Sequence, residues 1–411
     1  MAQSDSGVRT SARDVALSIR READGQLASF YATRGFWPLW ASSGRIGPEA
    51  DALLGYLATA DLDGLEPATY RVEELRAAIR GARSGDPAQM AVAELELSRA
   101  FARYAADMRR PRRVKVTYLD RELRPKAPSA KTVLRAAALR SSLKSYVADM
   151  GWMSPHYVRL RKLLAIAEKQ RAPKDSIQRI RLNLDRARLL PGPWSRHVVV
   201  DAASARLFYY QDGKQQGTMR IVAGTAQTPT PMLAGELRYA ILNPYWNVPA
   251  DLARKKFAPR MLAGATPQSL RFETLSDWSG SPHVLDPAAI DWAAVASGRQ
   301  SVRLRQLPGG SNAMGRVKFM FPNDQGIYLH DTPDKALFSR GDRHLSNGCI
   351  RLENAAALGK WLFGRPLPTS RKIPEQAIPL PAPVPVYLTY FTPTPTKNGF
   401  GFLKDVYGRD G

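Results

Sequence analysis

Tyr328–Arg351, YLHDTPDKALFSRGDRHLSNGCIR, holds the single cysteine of the chain, Cys349, and two of its five histidines, His330 and His344. A thiol becomes a useful nucleophile only when a base or a positive field stabilises its thiolate. His330 closes the apolar run GIYLH, which predicts a strand end opening on a cleft. Cys349 follows Asn347-Gly348, and a glycine there permits a tight turn with exposed backbone N–H groups. The amides of Gly348 and Cys349 would then face the oxyanion of a tetrahedral intermediate. His330 would take the thiol proton and return it to a leaving amine. Arg351, on the same face of an extended segment as Cys349, is placed to hold a substrate carboxylate. On these residues alone, a buried structural cysteine competes with the catalytic reading.

Outward from this stretch, the chain divides into two regions. Up to about residue 190 the apolar spacing is helical, with segments over Ser11–Phe30, Val72–Gly81, Pro87–Met108, Lys131–Met150, Pro155–Gln170 and Ser176–Leu189. Leu190-Pro191-Gly192-Pro193 ends that periodicity. Short β-branched and aromatic runs follow (HVVVDAA, ARLFYYQDG, GTMRIVAG, ELRYAILN, VKFMF), which predict antiparallel β structure. The fold class expected is therefore α+β: a basic helical domain over 1–190, then a mainly β domain over 191–411, a sandwich of antiparallel sheets. Residues 251–304 lack sheet character and predict a capping insertion or lid. The segment 366–396 is Pro-rich, and alternate prolines at 379, 381, 383 and 385 predict polyproline II or a sheet edge.

Two domains are also the expectation for 411 residues. The net charge of +23 is concentrated between Arg99 and Arg188, where 24 Lys/Arg stand against 7 Asp/Glu. Such a field attracts acidic polymers, whereas no zinc-finger spacing, RNP-like strand or P-loop points to nucleic acid. A single cysteine excludes an internal disulfide and a multi-cysteine zinc site, and no metal or other cofactor is expected. No apolar run is long enough for a spanning helix, and the opening MAQSDSGVRTSARD lacks the apolar core of a secretory leader.

YLHDTPDKALF followed by SNGCIRLEN resembles the catalytic signature of the L,D-transpeptidases. The similarity extends to RQLPGGSNAMGRVKFMFPN, NPYWNVP, GTAQTPTPM, RIRLNLDRARLLP, FWPLW, DLDGLEPATY and the closing VYLTYF…DVYGRDG, as in the larger Gram-negative enzymes. The resemblance implies a periplasmic, monomeric cysteine acyltransferase acting on peptidoglycan stem peptides and glycan strands. Cys349 is its nucleophile and His330 its base. Asp331 orients the imidazole through its carbonyl or its carboxylate, unless it caps a turn. Tyr328 and Arg351 match positions near the substrate, where Ser346, Asn347 and His344 are also expected, although Tyr328 is equally explained by strand packing. Trp246 either lines the donor pocket or fills core.

Three departures stand out from the family pattern. Asn347 replaces the usual histidine before Gly-Cys, and His344 is either its substitute or a bystander. The inserted peptidoglycan-binding domain of the large relatives is missing, since residues 172–176 are too few to contain it. The third is the proline run, which would narrow the cleft. Together they lean toward a branch making 1→3 links (L-Ala to diaminopimelate) rather than 3→3 links. An L,D-carboxypeptidase using water as acceptor, or a non-catalytic peptidoglycan-binding scaffold, remains the alternative.

Overall fold

The helical half is held together by a few buried polar hubs set into an otherwise apolar core. A computed structural model describes residues 11–110, 112, 114–368 and 373–411. The segment 1–10, read above for a leader, and 369–372 of the Pro-rich segment lie outside them. Helices α1 (Ala12–Glu22) and α2 (Gly25–Ala32) replace the single expected helix, because Asp24 precedes a glycine with φ +46° and the chain turns there. A two-residue hairpin follows, β1 (Ala41–Ser42) and β2 (Arg45–Ile46), then α3 (Glu49–Ala58), α4 (Val72–Gly81) and α5 (Pro87–Met108). The short strand β3 (Thr117–Tyr118) leads to α6 (Ala130–Ala138) and α7 (Leu143–Ala148). These two were expected as one helix, but Ser142 starts a new N-cap on the Ser145 N–H. Next come α8 (Pro155–Lys169) and α9 (Lys174–Arg188).

Two of the quoted motifs acquire physical roles here. In FWPLW, the backbone N–H groups of Leu39, Trp40 and Ala41 donate to Glu94 of α5, which is fully buried and also accepts from Tyr31 Oη at 2.7 Å. In DLDGLEPATY, Asp63 is buried and accepts from Tyr104 Oη and Tyr157 Oη, both at 2.7 Å, and from Arg161 Nε at 2.8 Å. Asp63 thus ties α5 and α8 to the turn after α3.

The second half begins with β4 (His197–Asp201), β5 (Arg206–Gln211), β6 (Lys214–Gly224) and β7 (Leu233–Leu242). The insertion contributes β8 (Trp246–Asn247), α10 (Ala250–Leu252), a π turn, α11 (Ala258–Leu262), β9 (Phe272–Leu275), α12 (Trp292–Ser297) and β10 (Arg303–Gln306). After it run β11 (Val317–Met320), β12 (Leu329–His330), β13 (His344–Ser346), β14 (Ile350–Leu352), α13 (Ala355–Phe363), β15 (Gln376–Thr389) and the hairpin β16 (Pro393–Thr396)–β17 (Gly399–Phe402).

Ten strands form one sheet in the order β11-β12-β14-β6-β5-β4-β15-β7-β3, with β13 on β6. Because β11 also pairs with β7, eight of them close on themselves. The sheet is mixed rather than wholly antiparallel: β12–β14, β15–β4, β13–β6 and β3–β7 run parallel. In β4, Val198 and Val200 face the core shared with Ile221, Leu329 and Ile350, while Val199 joins the core of the helical half. Both faces of this strand are buried, which explains its unbroken apolar run.

One expectation needs correction and one is narrowed. The insertion does have sheet character: β8, β10 and β9 form a three-stranded sheet over their own core of Phe257, Phe272, Val295 and Leu304. Strands of two to four residues are too short to print an alternation in the sequence. Of its two expected forms the proline run takes the sheet edge, within β15. Between Pro379 and Val384 its pairing with β7 shifts register, and β4 joins its other side only from Val386 onward. The prolines therefore lie where one edge is open and a missing N–H breaks no ladder.

Candidate active site

Parallel pairing of β12 with β14 sets Leu329 against Ile350 and His330 against Arg351. Registered neighbours in a pleated sheet share a face, and faces alternate along the strand. Leu329 and Ile350 therefore fill the core together, both fully buried. His330 and Arg351 share the other face, and one step back on that same face lie Tyr328 and Cys349. Antiparallel pairing of β11 adds Lys318 directly beside His330. Five functional groups from three strands thus meet on one patch of sheet, and Leu337, Phe338 and Val222 pack as a small apolar cluster alongside.

His330 is 1% exposed, and its Nδ1 lies 2.6 Å from the Asp331 carbonyl oxygen. A carbonyl only accepts, so Nδ1 carries the proton and Nε2 keeps its lone pair. The Asp331 carboxylate is engaged elsewhere, accepting from the Arg316 N–H at 3.0 Å and pairing with Lys335 Nζ at 2.8 Å. Of the two ways Asp331 was expected to orient the ring, the geometry has the carbonyl. Burial, followed by the Arg351 charge, pushes the imidazole down to about 3, so it is neutral at physiological pH.

Cys349 is half-buried as a residue, yet desolvation of its sulfur pushes the thiol above its ordinary value; Tyr328 and Arg351 act in the opposite sense. The Sγ–H points to the Gly326 carbonyl at 3.3 Å, and the Tyr328 hydroxyl hydrogen-bonds to the sulfur. The tight turn before it takes φ +105° at Gly348, where a Cβ would meet Ile327 Cδ1 at 3.1 Å. The Gly348 N–H donates to Ser346 Oγ at 3.2 Å and its carbonyl accepts from Thr230 Oγ1 at 2.8 Å. Expected to face an oxyanion, the Gly348 amide is engaged within the turn.

Arg351 makes no hydrogen bond or ion pair from its guanidinium among the described residues, and desolvation lowers its pKa. The Asp334 carboxylate acts on it only through its charge, without an ion pair, so the guanidinium keeps its donors for an incoming carboxylate. Asn347 is exposed at the turn.

Three residues expected at the substrate are engaged with the protein itself. Ser346 is 3% exposed and donates to the Cys349 carbonyl at 2.6 Å, so it braces the turn. Both ring nitrogens of His344 are taken, Nδ1 by Asp342 at 2.7 Å and Nε2 by the Ala202 carbonyl at 2.8 Å. It pins β13 and is not aimed as a base. Trp246 packs edge-on to Phe257 in the core of the insertion.

Sequence reasoning missed four contributors. Lys318 reaches Glu375 at 3.2 Å and lies over the Tyr328 ring; its only signal was the alternation of VKFM. Asn323 holds the 323–327 loop through Phe321 and Ile327 and so presents the Gly326 carbonyl to the thiol. Thr230 and Tyr407 brace the same turn from a distance, Tyr407 Oη donating to the Gly224 carbonyl at 2.7 Å. No local pattern marks Thr230 and Tyr407, because each acts through a long-range backbone contact, whereas Asn323 works within its own loop.

Comparison with known proteins gives this site a context. Residues 25–164 match the family described as a scaffold domain, and residues 195–374 match the L,D-transpeptidase catalytic domain. A candidate L,D-transpeptidase of Haemophilus influenzae is 32% identical over 240 residues, 57% of this chain and 48% of that protein. The chain thus spans about half the length of that relative. Among solved structures, an L,D-transpeptidase from Mycobacterium smegmatis is similar at 13% identity and a TM-score of 0.23, over 47% of this chain and 58% of that one. The catalytic domain of an Enterococcus faecium L,D-transpeptidase is similar at 18% identity and a TM-score of 0.20, over 47% and 97%. Residues 195–374, the part of the chain that carries Cys349 and His330, thus match the L,D-transpeptidase catalytic domain.

Proposed function

We propose that the protein is a peptidoglycan L,D-transpeptidase that uses Cys349 as nucleophile. The carrying observation is the β12–β14 register, which gathers Tyr328, His330, Cys349 and Arg351 on one face. In this reading the resting thiol is protonated, and His330 Nε2 accepts its proton as sulfur attacks a donor-stem carbonyl. Tyr328 and Arg351 favour the thiolate as it forms. Collapse of the tetrahedral intermediate expels the terminal residue as an amine, which takes the proton back from His330 and leaves a thioester on Cys349. An amine of a second stem resolves the thioester, making a 1→3 or a 3→3 crosslink and freeing the thiol. Arg351 holds a donor carboxylate, and Asn347 contacts the acceptor side. Peptidoglycan as substrate also makes an extracytoplasmic location, the periplasm, the fitting one.

Incubation of muropeptides with the protein and with Cys349→Ala, read by mass spectrometry, tests this. Crosslinked dimers are expected from the parent alone, with fragmentation assigning the bond to residue one or three. Monomers that merely lose a terminal residue would replace transfer with hydrolysis.

A further inference from the structure

Several cavities among the described residues lie away from Cys349. One of about 530 Å³ opens between α7, α8 and the edge of the catalytic half at 193–213. Its walls carry Arg140, Arg159 and Lys162, with Asp149 as the single acid among its lining residues. None of the three cations makes an ion pair among the described residues. Arg140 is fixed in place: its guanidinium stacks on the Trp194 ring at 3.8 Å, and its Nε donates to the Ala136 carbonyl at 2.7 Å. That leaves both terminal nitrogens uncommitted on a rigid support. Arg159 Nε is buried without any partner. Arg159 is partly buried and also acts through its charge on His156, Tyr210 and Asp201 behind the wall, whereas Lys162 is exposed; together with Arg140 they leave a net positive lining for an anion to meet.

The cavity has the volume of a site for a few residues of peptide. It is also remote from the thiol. Gly213, on its rim, begins the hairpin into β6, and Gly224, at the far end of β6, registers with Ser346 beside the catalytic turn. At ~3.3 Å per residue, the strand separates the two by roughly 36 Å.

We infer that this cavity is a second, non-catalytic site that anchors a carboxylate-bearing stem peptide of peptidoglycan through Arg140, Arg159 and Lys162. The inference rests on the proposed function for the identity of the polymer. An anchor one strand-length from the thiol raises the effective concentration of neighbouring stems on the same polymer at Cys349. It would do so in place of the separate binding module that residues 172–176 are too few to contain.

Isothermal titration of the full chain carrying Cys349→Ala with a soluble tetrapeptide stem tests it. Two equivalents are expected to bind. Lys162→Glu, on an exposed position, and separately Arg159→Gln should weaken the second by about tenfold or more. In chains that keep Cys349, neither change should alter turnover of free stem peptide, while both should slow crosslinking of intact sacculi. A stem with its carboxylates amidated should lose the second equivalent. A single equivalent in the parent, or a second one that survives both substitutions, overturns the inference. So does inorganic phosphate or an oligonucleotide that fills the second site as tightly as the stem. Loss of the proposed function would show instead as no turnover of stem peptide by the Cys349 chain, a result independent of the binding stoichiometry.

Discussion

Cys349 and His330 are mismatched as a resting ion pair. Burial raises the thiol and lowers the imidazole to about 3, so both are neutral in the free protein. In the proposed reaction proton transfer would then accompany attack, with the developing sulfur charge met by Tyr328 and Arg351. Thiol alkylation by iodoacetamide should consequently keep accelerating as pH rises past the ordinary thiol range. A plateau near neutrality would mean a preformed thiolate and sink this account. Tyr328→Phe removes a hydrogen bond to a charged sulfur, worth about 1.5–3 kcal/mol, so the alkylation midpoint should move up by about one unit or more. An unmoved midpoint would show that the hydroxyl serves only to pack the strand.

At the level of elements, much of this arrangement was legible in the sequence, and the reasons are specific. Pro87–Met108 and Val72–Gly81 were read to the residue because Asp86 and Pro87 start one helix and acidic residues fill the first turn of the other. GIYLH announced His330 at a strand end, and Asn347-Gly348 announced the turn. The parallel β12–β14 pairing that makes a site of them was not legible, because register between strands twenty residues apart leaves no local pattern. The family resemblance supplied that pairing indirectly. Hubs such as Asp63 escaped for the same reason, since their partners are spread from Tyr104 to Arg188. Asp63→Ala should cost about 3–5 kcal/mol, the penalty for leaving Arg161 buried without its counter-charge. Chemical denaturation would measure it. A loss below 1 kcal/mol would mean that water or a shifted neighbour readily replaces the carboxylate. Asp63→Asn, which keeps the shape and part of the hydrogen bonding, should lose less.

Across the whole molecule, the seam between the helical half and the closed sheet is built on two buried histidines. His156 of α8 stacks on Phe391 and lies 3.2 Å from Tyr210 Oη, while His197 of β4 stacks on Tyr210. Burial pushes them down to about 3 and about 4, with Arg159 and His197 adding to the effect on His156 and Arg109 to that on His197. An unfolded histidine binds its proton near pH 6.5, so each contributes stability that is complete above that pH. The contribution is lost as pH falls toward the folded-state values, at about 1.4 kcal/mol per pH unit for each ring. Glu94 and Asp201, whose burial raises them, work in the opposite sense, so the raw acid slope mixes the two kinds of group. The difference between parent and His156→Phe isolates one ring, since phenylalanine keeps the stack on Phe391 and cannot titrate. Between pH 6.5 and 5 the variant's melting temperature should fall less steeply than the parent's, and His197→Phe should behave alike. Parallel melting curves for all three proteins over that window would mean that these rings stay solvated, and that the seam opens without having to discharge them.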